Sequence, residues 1–155
     1  MKTKTIAVSL GLILVAGALY AADPMMGTWK LNEAKSKLTR GTPKNTKVVY
    51  DDHLIRNKVT VTTDGVDGDG KPVHAEWKGK FNGKDYEVTG DPTSDTRAYT
   101  KVNNQTLEMT VKKGGKVVAT GRIVVTADGK SRAVTLNGTT AKGKKFTNTS
   151  VYDKE

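Results

Sequence analysis

The chain has 155 residues, with 26 Lys or Arg against 16 Asp or Glu, so its formal charge at pH 7 is +10. It contains no cysteine, which excludes a disulfide framework and a lipid carried on cysteine, and leaves the fold to a packed core. Aromatic residues make up only 6% of the chain, so we expect a modest core in one domain of ordinary size.

The first residues have the pattern of a secretory signal peptide. A charged start at Lys2 and Lys4 precedes an apolar run over residues 6–20 and the small pair Ala21-Ala22. A retained anchor is the alternative, but it needs roughly 20 apolar residues and this run is shorter. We therefore expect cleavage after residue 21 and a single domain over 22–155, exported to the periplasm or secreted and not embedded in a membrane. Loss of two lysines leaves 24 − 16 = +8 charges.

Period-two alternation predicts β-strands along the rest of the chain. It is clear in residues 58–62 and 107–112, and in 117–125 it places Val117, Ala119, Ile123 and Val125 on one face. A short helical turn is expected at 32–38, where Asn32 can cap its start. The predicted strands are 27–31, 46–50, 57–63, 73–81, 84–88, 95–102, 105–112, 116–126, 131–138 and 145–152.

Asp-Gly, Asn-Gly and Gly-Gly pairs between these runs are typical of tight hairpins. Hairpins between consecutive strands predict an antiparallel up-and-down meander, which hides its edges by closing into a barrel. A two-sheet sandwich is the alternative, but it needs long crossover connections, and the candidate gap at 89–94 is short. We predict an all-β barrel of about 8–10 strands.

Gly27-Thr28-Trp29 at the start of the first strand resembles the Gly-x-Trp motif of lipocalins and related calycin barrels. The resemblance implies that Trp29 plugs a closed barrel end under a basic residue of a late strand, which Arg122, Arg132 or Lys154 can supply. A departure from lipocalins is that 94–99 is only a loose echo of their mid-barrel motif.

Longer strings extend this resemblance over nearly the whole domain. They are the strings at 27–32, 34–37, 67–72, 82–86, 88–92 and 151–154. Together they are similar to a family of small exported bacterial lipocalin-like proteins that are largely uncharacterised. The resemblance implies a barrel in the bacterial envelope and no established activity.

The two histidines give little support for catalysis. His74 lies two residues from Glu76 on one strand face, a spacing that suits two metal ligands or a base with its orienting group, but no third ligand is evident. A solvent-facing polar pair is the simpler interpretation, and His53 is interpreted in the same way. With no cysteine and no Gly-x-Ser-x-Gly turn, we predict that the chain is not an enzyme.

The acidic segment 64–70 resembles a calcium loop at first sight. Asp67 and Asp69 have the spacing of two ligands, but Lys71 stands where the next acid is required. A hairpin turn that uses Asp and Gly for their backbone tolerance explains the segment better. We predict neither a metal nor a cofactor.

The inward face of the barrel is the candidate ligand site, with its mouth opposite Trp29. Small barrels either fill with side chains or hold one small apolar ligand, and both interpretations stay open here. The candidate interior residues are Trp77, Phe81, Leu107, Met109, Val111, Ile123, Val125, Val134, Leu136, Phe146 and Tyr152.

We expect a non-enzymatic binding protein that carries a small apolar or amphipathic molecule such as a lipid. The alternative is a solid barrel whose basic surface contacts an anionic envelope component or a protein partner. Nucleic acid is not expected, because the chain lacks a basic stripe paired with stacking aromatics. The lysines available to the alternative are Lys112, Lys113, Lys116, Lys142, Lys144 and Lys145.

Overall fold

The computed structural model describes residues 22–53 and 58–155. They form ten strands and one short 3-10 helix; the predicted signal peptide, 1–21, lies outside the described residues. The strands are β1 (Gly27–Leu31), β2 (Lys44–His53), β3 (Lys58–Val66), β4 (Pro72–Gly79), β5 (Tyr86–Thr89), β6 (Thr96–Asn103), β7 (Thr106–Lys113), β8 (Lys116–Val125), β9 (Ser131–Thr139) and β10 (Lys145–Lys154).

Each strand pairs antiparallel with its chain neighbours, and β1 also pairs with β10, which closes the barrel. Trp29 lies opposite Val48 on β2 and opposite Lys154 on β10. The predicted all-β meander and barrel closure are confirmed, and every predicted strand is present with small shifts at its ends. Closure removes the free strand edges that a sandwich would leave.

The turn chemistry matches the sequence prediction. Gly114 and Gly115 form the two-residue connection between β7 and β8 with φ angles of 55° and 74°, the left-handed values that a type I′ hairpin requires. Asn32 caps the 3-10 helix Glu33–Lys35, where its side chain accepts a hydrogen bond from the Lys35 backbone at 3.2 Å.

The predicted helix over 32–38 is shorter than expected because β10 engages its second half. The Ser36 hydroxyl accepts a hydrogen bond from the Val151 backbone at 2.9 Å, and Lys37 forms an antiparallel bridge with Thr149. The backbone is thus extended at Ser36 and Lys37, and residues 36–42 lie against β10.

A β-bulge corrects one prediction about β8. Val111 on β7 faces Ala119, but the next residue, Lys112, faces Val117, so Val118 is the extra residue. Beyond a bulge the two faces of a strand exchange. Val117 is 57% exposed and Val118 packs against the core, so the prediction that Val117 shares the inward face of Ala119 is wrong.

One end of the barrel is closed by apolar side chains. Met25, Trp29 and Leu107 are fully buried there, and the Trp29 indole N–H donates to the Met25 carbonyl at 3.0 Å. The connections β5–β6, β7–β8 and β9–β10 lie at the opposite end. Within the described ranges, no helix has the length and apolar character needed to span a bilayer.

Candidate functional site: the barrel interior

Two of the three basic candidates for Trp29 lie on its ring. The Arg132 guanidinium carbon is 4.7 Å from the ring centroid, and the Lys154 ammonium is 5.0 Å from it. Arg122 instead pairs with Glu108 at 3.0 Å, and both side chains are about half exposed. Arg132 reaches the Trp29 ring because alternation in β9 places it on the inward face, together with Val134.

Arg132 is 2% exposed and lies among three aromatic rings. Its guanidinium carbon is 4.7 Å from the Tyr50 ring centroid and 5.0 Å from that of Tyr152, in addition to the contact with Trp29. Cation–π contacts of this kind stabilise a desolvated guanidinium. The faces of these rings are not conventional hydrogen-bond acceptors for the guanidinium. Its Nε and Nη1 are buried without a hydrogen-bond partner.

Arg97 is the second interior arginine, on β6. Its Nη2 lies 3.2 Å from Asp91 Oδ2, and both side chains are only 13% exposed. Its Nη1 donates to the Tyr99 hydroxyl at 3.4 Å, whereas its Nε is buried and has no partner. The β5–β6 connection therefore supplies the carboxylate that pairs with Arg97 at the open end.

The surroundings of Asp91 favour its ionised form. Burial alone would raise the pKa of this carboxyl, but hydrogen bonds from Ser94 and Thr93 and the charge of Arg97 outweigh it and hold the pKa below its usual 3.8. The Ser94 hydroxyl donates at 2.5 Å and the Thr93 hydroxyl at 2.7 Å. Asp91 is thus ionised at neutral pH.

A cavity of about 40 Å³ lies between the two arginines. Sites for whole small molecules usually measure roughly 300–1,000 Å³, so this space suits a group of a few atoms. It is lined by Asn45, Val48, Tyr50, Thr63, Arg97, Tyr99, Met109, Ile123, Arg132, Val134 and Tyr152.

The charges at this cavity are all positive. Its lining contains two guanidinium groups and no carboxylate. Burial raises the pKa of the Tyr50 and Tyr152 hydroxyls above their ordinary 10.0, so both are neutral at pH 7.

An aromatic cluster supports the wall beside Arg97. Trp77 stacks on Phe81 with ring centroids 6.1 Å apart and meets Tyr99 edge-on at 4.8 Å. The Trp77 indole N–H donates to the Arg97 carbonyl at 2.8 Å. These contacts hold the β6 backbone that carries Arg97 and Tyr99.

The predicted interior residues fall into three groups. Trp77, Leu107, Met109, Val111, Ile123, Val125 and Tyr152 are buried in the core. Phe81, Val134 and Leu136 are half-buried against it, and Phe146 is half-buried beside Gly138. The signature glycine Gly27 opens β1 with φ 108°. The ligand-binding role of the interior residues stays a prediction.

Sequence reasoning named Arg132 only as a possible partner of Trp29, and it did not propose Arg97, Tyr50 or Tyr99 as interior residues. Arg132 had a signal, because alternation places it on the face of Val134 and Leu136. Arg97 and Tyr99 alternate with Ala98, so the pattern in β6 does not say which face is inward. Tyr50 was assigned to a strand without a role.

A shallow depression lies over the outer face of the β9–β10 hairpin, near the open end. A Cβ on Gly138 would lie 2.8 Å from the Phe146 ring and 2.9 Å from the Ala119 side chain, so glycine makes room for that ring on the inward side. Most of the lining of this depression is exposed and lies on the strand face opposite to that of Gly138 and Phe146, namely Asn137, Thr139, Lys145 and Thr147.

The predicted polar pair of His74 and Glu76 is engaged elsewhere. His74 Nδ1 lies 2.6 Å from Asp64 Oδ1, whereas Glu76 pairs with Lys78 at 2.6 Å. His53 Nε2 contacts the Thr60 hydroxyl at 2.9 Å. Apart from the buried Thr60, these side chains are half-exposed or exposed, which suits a solvated surface.

The acidic segment before β4 is a turn, as its glycines predict. The Asp67 carboxylate accepts hydrogen bonds from the backbone of Asp69 and Lys71, both at 2.9 Å. No group of three side chains suited to hold a metal ion occurs in the described part of the chain.

No family model and no curated protein matches this chain. Among solved structures, the chain is similar to a redesigned β-barrel, mFAP1, bound to DFHBI, with 20% identity and a TM-score of 0.42. The match covers 86% of this chain and 98% of that one. A similarity at this level says nothing about what this chain binds.

Proposed function

We propose that this chain is an exported, non-enzymatic binding protein of lipocalin-like type that takes a small amphipathic molecule into the open half of its barrel. The observation that carries the proposal is the difference between the two barrel ends. Met25, Trp29 and Leu107 close one end completely, whereas Val134, Leu136 and Phe146 stay half-buried toward the other.

The open half offers a continuous inward row along β9. Val134 lines the interior cavity, and Leu136 and Gly138 follow it on the same face toward the open end. Neighbouring inward residues on a strand are about 6.6 Å apart, so a short apolar chain along this row spans from the open end to the cavity. Half-exposed apolar side chains gain free energy when such a chain covers them.

Native mass spectrometry of the protein expressed from its full-length sequence tests the proposal. We expect an added mass after incubation with an envelope lipid extract, and its loss on denaturation. Leu136→Trp fills the open half and should abolish the added mass, whereas Val124→Trp, on the outer wall, should leave it unchanged. Equal binding by both variants, or no bound mass at all, contradicts the proposal.

A basic patch favours the alternative of an anionic partner. Lys116, Lys142, Lys144 and Lys145 are exposed on two neighbouring hairpins and form no ion pair among the described residues. Lys112 and Lys113 are instead paired with Asp85 and Asp95 at 2.6 and 2.7 Å.

Salt dependence separates this alternative from interior binding. Contact between the patch and an anionic surface should weaken steeply with ionic strength, and the triple change Lys142→Glu, Lys144→Glu and Lys145→Glu should abolish it. Lys112→Glu is a weaker change because that lysine is already paired. If polyanion-coated or anionic vesicles retain the protein equally at low and high salt, and the triple change does not weaken this retention, then the patch is excluded as the contact surface.

A further inference from the structure

We propose that Arg97 and Arg132 bind a carboxylate inside the barrel, so that the molecule received by the open half is a monocarboxylate. This rests on the proposed function and names the chemical class of its ligand.

The first argument is the unsatisfied hydrogen-bonding capacity of the interior. Among the described residues, three buried side-chain nitrogen or oxygen atoms lack a partner, namely Arg97 Nε, Arg132 Nε and Arg132 Nη1. Both arginines line the same cavity. A buried guanidinium with unpaired N–H groups is strongly unfavourable, so the site is incomplete without an acceptor.

The second argument is the charge balance. Asp91 neutralises Arg97, but Arg132 forms no ion pair in residues 22–53 and 58–155, and the cavity lining contains no carboxylate. The interior therefore carries one positive charge more than it compensates. An anion supplies both the missing charge and the missing acceptors.

The third argument is geometric. A guanidinium presents its N–H groups in a fixed planar fork, which matches the two oxygens of a carboxylate. The rings of Trp29, Tyr50 and Tyr152 surround Arg132 at 4.7–5.0 Å and restrict its motion, so the fork is held in position before a ligand arrives.

The fourth argument is size. One water needs about 10–15 Å³ of such space. The cavity of about 40 Å³ therefore has room for a small head group and for nothing larger. The rest of the molecule must therefore extend away from the arginines. Val134 and Leu136 provide the apolar direction, which leads along β9 to the open end.

Side-chain NMR of the arginine Nε–H groups tests the site in the unmodified protein. Acetate, dodecanoate and dodecanol are added separately, with sodium chloride at matched ionic strength as the blank. We expect carboxylate to shift the Nε–H signals of Arg97 and Arg132 and to leave that of Arg122 unmoved, because Arg122 is exposed and paired with Glu108.

The probes distinguish the source of the carboxylate. Shifts with both acids mean a site for free small carboxylates, whereas shifts with dodecanoate alone mean a fatty-acid-like ligand whose tail is required. If no acid moves the two signals, or if all three arginines move alike, the carboxylate site is overturned. Dodecanol that binds as tightly as dodecanoate also overturns it, but leaves the proposed function standing; failure of every probe contradicts both.

Conservative variants give a second reading. Arg132→Lys keeps the charge but loses the fork, and we expect dodecanoate affinity to fall about tenfold or more, with dodecanol affinity unchanged. Arg122→Lys is the matched control and should leave both affinities unchanged. Equal dodecanoate affinity in Arg132→Lys and the parent overturns the role assigned to Arg132.

Discussion

The two ends of this barrel are built from different chemistry. At the closed end, Trp29 and Met25 are fully buried and joined by an indole hydrogen bond, so the packing is complete. At the open end, Leu136 and Phe146 remain half-buried, and the Asp91–Arg97 pair at 3.2 Å closes the β5–β6 corner. The comparison indicates that the more completely buried side chains lie at the closed end, and it supports the proposal that the open half receives a ligand.

Removing the plug should have the largest effect. Trp29→Ala deletes a fully buried ring and leaves the Arg132 and Lys154 charges without the face they pack on, so we expect a loss of about 3–5 kcal/mol in the free energy of unfolding. Urea denaturation measures it. Val124→Ala on the outer wall is the control, with a change within about 0.5 kcal/mol.

A matched pair of leucines sharpens the comparison. Leu107→Ala removes a fully buried side chain at the closed end and should lower stability by about 2–5 kcal/mol. Leu136→Ala removes a half-buried one, for which we expect only about 1 kcal/mol, since less surface was withdrawn from water. Equal losses in the two variants would mean that the open half is packed as tightly as the closed half.

The ion pair at the open end should have an intermediate effect. Asp91→Asn leaves Arg97 buried without its carboxylate, and removal of one partner from a fully buried pair has a penalty of about 3–5 kcal/mol. Because both side chains keep some exposure, we expect roughly 1–3 kcal/mol. Thermal and urea unfolding at pH 7 check this value.

The same carboxylate predicts a pH dependence. The folded-state pKa of Asp91 is lowered, so its contribution is fully present above the unfolded-state value near 3.8 and is lost as the pH falls through the folded-state pKa. The pKa values of the exposed Asp95 and Asp128 and of the half-buried Asp153 are also lowered. Only the difference between the parent and Asp91→Asn therefore reports Asp91, and it should shrink as the pH falls below about 4.

The outer wall should respond least. Glu108 and Arg122 pair at 3.0 Å with both side chains about half exposed, and such pairs contribute little. Glu108→Gln should change the free energy of unfolding by less than about 0.5 kcal/mol. A larger loss in urea denaturation would show that the outer wall contributes part of the stability that we assign to the closed end.

The strands were predictable because each has a local signal. Alternation in β7 and turn glycines such as Gly114 and Gly115 give both the pairing and the meander. The bulge at Val118 was not predictable, because its cause is the pairing of Lys112 with Val117 across two strands. A local pattern contains no information about such an offset.

The candidate site was only partly predictable. Arg132 shares one strand face with Val134 and Leu136, which predicts that it points inward, yet a charged side chain is expected to point outward unless something inside the barrel stabilises it. The groups that stabilise it are the rings of Trp29, Tyr50 and Tyr152. These residues lie on β1, β2 and β10 and meet only when β1 closes the barrel between its two neighbours. Pairing of Arg97 with Asp91 likewise depends on how the β5–β6 connection folds back.

The most direct test of the difference between the barrel ends is a backbone amide shift map of the protein titrated with dodecanoate. We predict shifts at Leu136, Gly138 and Phe146 and at the interior arginines, with Met25 and Leu107 unmoved. Shifts confined to the Lys142–Lys145 hairpin, or spread equally over both ends, would contradict the proposal that the open half is the binding region.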